Sequence, residues 1–178
     1  MKSSKIWVVL LLVAALLMSI GSVGAYMRKQ TEMVQNVFVP AEVSCVVNET
    51  FEDNKKNNIT ITNTGNIEAY LRLRLVTYWV DSNGNIMFES SPPIYINDKV
   101  SDCWIKSGDT YYYEKPVGPG ESTENLLKGG ESIELGGYNG NHQVVEVFAE
   151  AIQSKPTEAV TSAWSVILDS DGNIIALQ

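Results

Sequence analysis

The chain has 178 residues, 44% of them hydrophobic, enough for one domain with a sizeable core and too few for two. Its 21 acidic residues outnumber 13 basic ones, for a formal net charge of −8. That balance argues against nucleic-acid binding and against electrostatic docking on anionic lipid, because both depend on Lys and Arg meeting phosphate.

The first element is an apolar leader. Lys2 and Lys5 precede a run of Ile, Trp, Val, Leu, Ala and Met from Ile6 to Ile20, and small residues, Gly21, Ser22, Gly24 and Ala25, follow it. This is the order of a secretory signal, with an apolar stretch of about 15 residues. A spanning helix needs roughly 20. Val23 and Ala25 stand at the −3 and −1 positions of a cut before Tyr26. The alternative is an uncleaved signal anchor, which would be the chain's one link to a membrane. A pilin-type leader does not fit, since its cut precedes the apolar run and an acidic residue follows closely, whereas the first acidic residue here is Glu32. The expected division is a leader over 1–25, an N-terminal segment over 26–40 and a folded domain over 41–178.

Past the leader, Gln30 to Asn36 is polar and runs into Val37, Phe38, Val39 and Pro40, where any strand belongs at a sheet edge because proline has no N–H to donate. Glu42 to Phe51 reads as a strand containing Cys45, and Asp53 to Asn58 as a charged, Asn-rich turn. Ile59 to Thr62 alternates apolar with polar, Asn63 to Asn66 supplies turn residues, and Ala69 to Val80 alternates again. In that last run Leu71, Leu73, Leu75 and Trp79 share one face. Tyr70, Arg72, Arg74 and Tyr78 share the other, toward solvent or a second layer. Asp81 to Asn85 is a tight turn into Ile86, Met87 and Phe88.

After Pro92 and Pro93 come short strands at Cys103 to Lys106 and Thr110 to Lys115, the latter with core and surface tyrosines alternating. The chain reverses at Gly118 to Gly120. Gln143 to Gln153 is a strand with Val145, Val147, Ala149 and Ala151 on one face, and Ser154 to Trp164 reads as a short helix with Pro156 in its first turn. Ser165 to Leu168 and Ile174 to Leu177 close a hairpin through Asp169 to Asn173. No internal repeat stands out. The expected class is all-β, a jelly-roll-like or Ig-like antiparallel β-sandwich with one short helix near the C-terminus, preceded by the apolar leader helix.

Residues for chemistry are scarce. The single histidine, His142, is placed in the loop after Gly136, and the sequence has no HExxH, GxSxG, CxxC pair or phosphate-cradling glycine loop. No catalytic residue, cofactor or metal ligand is expected. Asp169, Asp171 and Asn173 open like a calcium loop, but Gly172 falls at the fourth place rather than the sixth and no glutamate holds the twelfth. Hairpin chemistry explains that turn and the one at Asp81. Asn48-Glu-Thr50 and Asn58-Ile-Thr60 match the N-glycosylation pattern. On the exported side Cys45 and Cys103 could form a disulfide, which in the chain-entropy view is worth about 4 kcal/mol; the alternative is two buried thiols.

Several stretches together resemble a known family. They are the leader ending Gly24-Ala25-Tyr26, the run from Asn58 to Arg72, Tyr111-Tyr-Tyr-Glu-Lys-Pro-Val-Gly-Pro-Gly-Glu-Ser, and Ala149 to Trp164. They are similar to exported proteins of Gram-positive bacteria of the TasA and camelysin type, whose leader is cut by a dedicated signal peptidase. The resemblance implies a jelly-roll β-sandwich, secreted or held at the cell surface or in the biofilm matrix. It also implies assembly with copies of itself, and with other matrix or surface proteins, by donation of an N-terminal strand. By position that donor is Thr31 to Val39, including Met33, Val37 and Phe38. Arg28 stands where the family carries an acidic residue. The metalloprotease activity described for camelysin does not carry over, because the sequence offers no zinc-ligand cluster. The competing readings are a monomeric surface adhesin using exposed tyrosines and, more remotely, a surface metalloprotease.

Overall fold

The computed structural model describes residues 39–87 and 92–178, together with Trp7. Val23, Ala25, Tyr26, Thr31, Met33, Val37 and Phe38 lie outside the described residues, as does Phe88. Pro40 to Gln178 forms one compact unit. Among the described residues no helix is long and apolar enough to cross a membrane.

Eleven strands and one helix follow in order among the described residues: β1 (Cys45–Glu52), β2 (Lys55–Asn63), β3 (Ala69–Val80), β4 (Ile86–Met87), β5 (Trp104–Ser107), β6 (Thr110–Tyr113), β7 (Ile133–Glu134), β8 (Gly137–Tyr138), β9 (Asn141–Gln153), α1 (Glu158–Trp164), β10 (Val166–Leu168) and β11 (Ile174–Leu177). All their pairings are antiparallel. One sheet has the order β1-β2-β7, a larger one has the order β5-β6-β3-β9-β8 with β4 also on β3, and β10 pairs with β11.

The alternation in β3 decides the core. Leu71, Leu73 and Leu75 are buried and pack with Ile59 and Ile61 of β2, Trp104 of β5, Tyr111 and Tyr113 of β6 and Val145 of β9, so both larger sheets contribute to one cluster. Between the two sheets the chain crosses in the short segment from Asn63 to Glu68. The fully buried Asn63 amide pins this crossover by donating to the carbonyls of Ile67 and Val117, both at 2.8 Å. Gly65 sits against Pro40–Ser44, and a Cβ there would lie 2.3 Å from the Glu42 carbonyl oxygen, so only glycine lets the strands meet.

The other face of the larger sheet is covered at one end. Tyr70 and Tyr112 pack there with Val160 and Trp164 of α1, Val166 of β10 and Ile174 of β11. This corrects the expectation of alternating tyrosines, because Tyr111, Tyr112 and Tyr113 are all buried, the middle one beneath the helix. Arg72 also differs from a solvated strand residue. Its guanidinium lies over Trp164 and bonds Glu150 through Nη2 at 2.6 Å, while Arg74 is exposed.

Local boundaries shift for identifiable reasons. The turn after β1 is two residues, Asp53 and Asn54, with φ of 51° and 57°, the left-handed pair a tight hairpin requires, so Lys55 to Asn57 join β2 rather than the loop. Pro156 precedes α1, which starts at Glu158. His142 lies on β9, opposite Gly137 and Val80, because Asn139 and Gly140 turn the chain within two residues. The strings from Asp81 and Asp169 make the same turn. In each, one Asp oxygen accepts two main-chain N–H groups and the other accepts an Asn side-chain N–H.

Candidate functional site

Hydrogen-bond capacity left over at strand edges is the most distinctive surface feature. Among the described residues β1 pairs with β2 alone, and β9 pairs with β3 along its length but with β8 only at His142 and Asn141. β1 also approaches β9, so the two strand edges left unpaired among the described residues lie near each other.

Parity identifies the available groups on β9. The Gln143 N–H donates to Gly136 O at 2.9 Å, away from β3, whereas the Ser154 N–H turns the other way, to Glu68 O at 3.0 Å. Odd-numbered residues therefore aim their main-chain groups outward. Val147, Ala149 and Ala151 have no main-chain partner on this edge among the described residues. Their side chains, with that of Cys45 on β1, are half-buried at the margin of the core.

One end of this edge is occupied. Lys56 is 6% exposed, an unusual burial for a lysine. Its Nζ donates to Oε1 and Oε2 of Glu49 at 2.8 and 2.9 Å, and to the main-chain oxygen of Val145 at 2.5 Å. Beside this pair a cleft of about 570 Å³ is lined by Phe51, Asn54, Leu135, His142 and Val144 among others. Buried Gln143 closes its far wall, donating to Thr77 Oγ1 at 3.1 Å and accepting from the Gly136 N–H at 2.9 Å.

Of the residues singled out in the sequence, Val39 is described, exposed and outside any strand. Cys45 and Cys103 are free thiols, so the disulfide alternative is not the arrangement present. Both are partly buried against the core, and that burial raises the pKa of each, with Glu150 adding to the effect at Cys45 and Glu124 at Cys103. Among the described residues no three of His, Cys, Asp and Glu gather as metal ligands. Neither Lys56 nor Glu49 is marked in the sequence, because Lys56 stands in the charged, Asn-rich stretch from Asp53 to Asn58. The signal was the placement of Lys55-Lys56 two residues after Asp53, which fits a tight hairpin as well as a loop.

No family model, no curated protein and no solved structure matches the chain.

Proposed function

We propose that the chain is an exported structural subunit of Gram-positive cell-surface or biofilm-matrix fibres, a jelly-roll-like or Ig-like β-sandwich that assembles with copies of itself by strand donation. The observation that supports this best is that the edges of β1 and β9, which lie near each other, are unpaired among the described residues. An open edge accepts an extended segment by main-chain hydrogen bonds. The donor, Thr31 to Val39, immediately precedes Pro40, whose carbonyl accepts from Asn66 Nδ2 at the crossover corner. Cutting the leader before Tyr26 would leave this segment as the start of the chain.

Electron microscopy of the purified protein, with and without residues through Val39, tests the reading. Fibres from the longer form and none from the shorter are expected; a persistent monomer in both across pH and salt overturns it. A second reading, a monomeric surface-binding domain, is favoured by the cleft beside Lys56. Glycan or matrix binding by a stable monomer would select it.

A further inference from the structure

Strand donation leaves open where on β9 an incoming strand stops, and the position of Lys56 bears on that point. We infer that Lys56 is a positioning residue that ends the incoming ladder at Val147, and so fixes the register in which a second copy's N-terminal segment pairs. The inference rests on the strand-donation reading above.

The geometry is that of a ladder position already filled. A neighbouring strand would run about 4.8 Å from β9 and place its N–H nitrogens near 2.9 Å from the outward carbonyl oxygens. At Val145 the Lys56 ammonium holds that point, 2.5 Å from the oxygen, on a stem rooted in β2 of the other sheet. Glu49 grips the same ammonium with both carboxylate oxygens. Displacing Lys56 would cost the buried ammonium its three acceptors, while Glu49, which is exposed, would fall back on water. Beyond this plug Val147 to Gln153 offers seven residues of edge, about 20 Å of extended chain. Thr31 to Val39, nine residues, is long enough to cover that edge, and the ladder's end is set by the host rather than by the guest.

Amide exchange of the purified protein, followed residue by residue by NMR with and without an excess of synthetic peptide spanning Thr31 to Val39, tests this. In the wild type, exchange at Val147, Ala149 and Ala151 should slow at least about tenfold with peptide while Val145 is unchanged. In the double variant Glu49→Gln/Lys56→Met, which removes both charges together, Val145 should slow as well. Slowing at Val145 in the wild type overturns the stop while leaving strand addition intact, and this reading holds whether or not the variant folds. An unchanged Val145 in a folded variant also overturns it. If no β9 amide responds in either protein, strand addition at this edge fails and the inference fails with it.

Discussion

The guanidinium carbon of Arg72 lies 4.6 Å from the centre of the Trp164 ring, joining the central strand of the larger sheet to α1. The same guanidinium reaches Glu150 from Nε at 3.0 Å and from Nη2 at 2.6 Å. A flat, delocalised cation can stack and bond sideways at once, which an ammonium cannot. Arg72→Lys should therefore cost about 1 kcal/mol, and Trp164→Ala, which empties a buried site, about 3–5 kcal/mol. Guanidinium denaturation curves read both, and an Arg72→Lys midpoint equal to the wild type would show the stack to be energetically idle.

Lys56 and Glu49 predict a pattern of non-additivity. Lys56→Met alone leaves the Val145 carbonyl and the exposed Glu49 carboxylate without their partner and should destabilise by about 1–2 kcal/mol, whereas Glu49→Gln together with Lys56→Met should cost less than the sum of the two single changes. Chemical denaturation of the two single variants and the double variant measures the coupling. Simple addition of the single effects would contradict the paired arrangement.

The two aspartate turns predict an acid response. Hydrogen bonds, first from the Asn85 and Asn173 side chains and then from main-chain N–H groups, hold the carboxyl groups of Asp81 and Asp169 below their ordinary value of 3.8. A depressed carboxyl favours the fold at pH values above the unfolded pKa and loses that contribution as the pH falls through the folded one. The lead in melting temperature of the wild type over Asp81→Asn/Asp169→Asn should thus be present near neutrality and shrink below about pH 3.8. A lead that does not vary with pH would remove the carboxylates as its source.

Cys45 and Cys103 predict slow thiol chemistry. Burial raises both above the ordinary 9.0, and the thiolate is the reactive form. Iodoacetamide at ~pH 8 without reductant should modify the native protein slowly and add two groups per chain in denaturant. A chain two hydrogens lighter that takes up no label when unfolded would establish a disulfide instead.

Periodicity made β3 and β9 legible, since each alternates over a dozen residues, and the Asp81 and Asp169 hairpins carried their turn residues openly. What periodicity cannot carry is neighbourhood. Ile59, Ile61 and Leu71 read alike in sequence, yet β2 and β3 enter different sheets because the chain crosses at Asn63 to Glu68. Tyr112 looked like a surface residue until α1 arrived to cover it, and Lys56 is buried through a carbonyl 89 positions away. The open edges of β1 and β9 were equally hidden, because an edge is defined by strands that are not beside it.

The central ladder has a consequence for timing. Tyr78 meets Glu146 and Arg72 meets Glu150, partners 68 and 78 positions apart, while β1 and β2 are joined by two residues. A chain that emerges N-terminus first, from a ribosome or through a pore, can close its first hairpin at once but must carry β3 unpaired until β9 has followed. Distant pairings of this kind close slowly, after the entropy of the intervening loop has been overcome. The last third of the polypeptide thus acts as the clasp, and until it arrives the core around β3 stays incomplete.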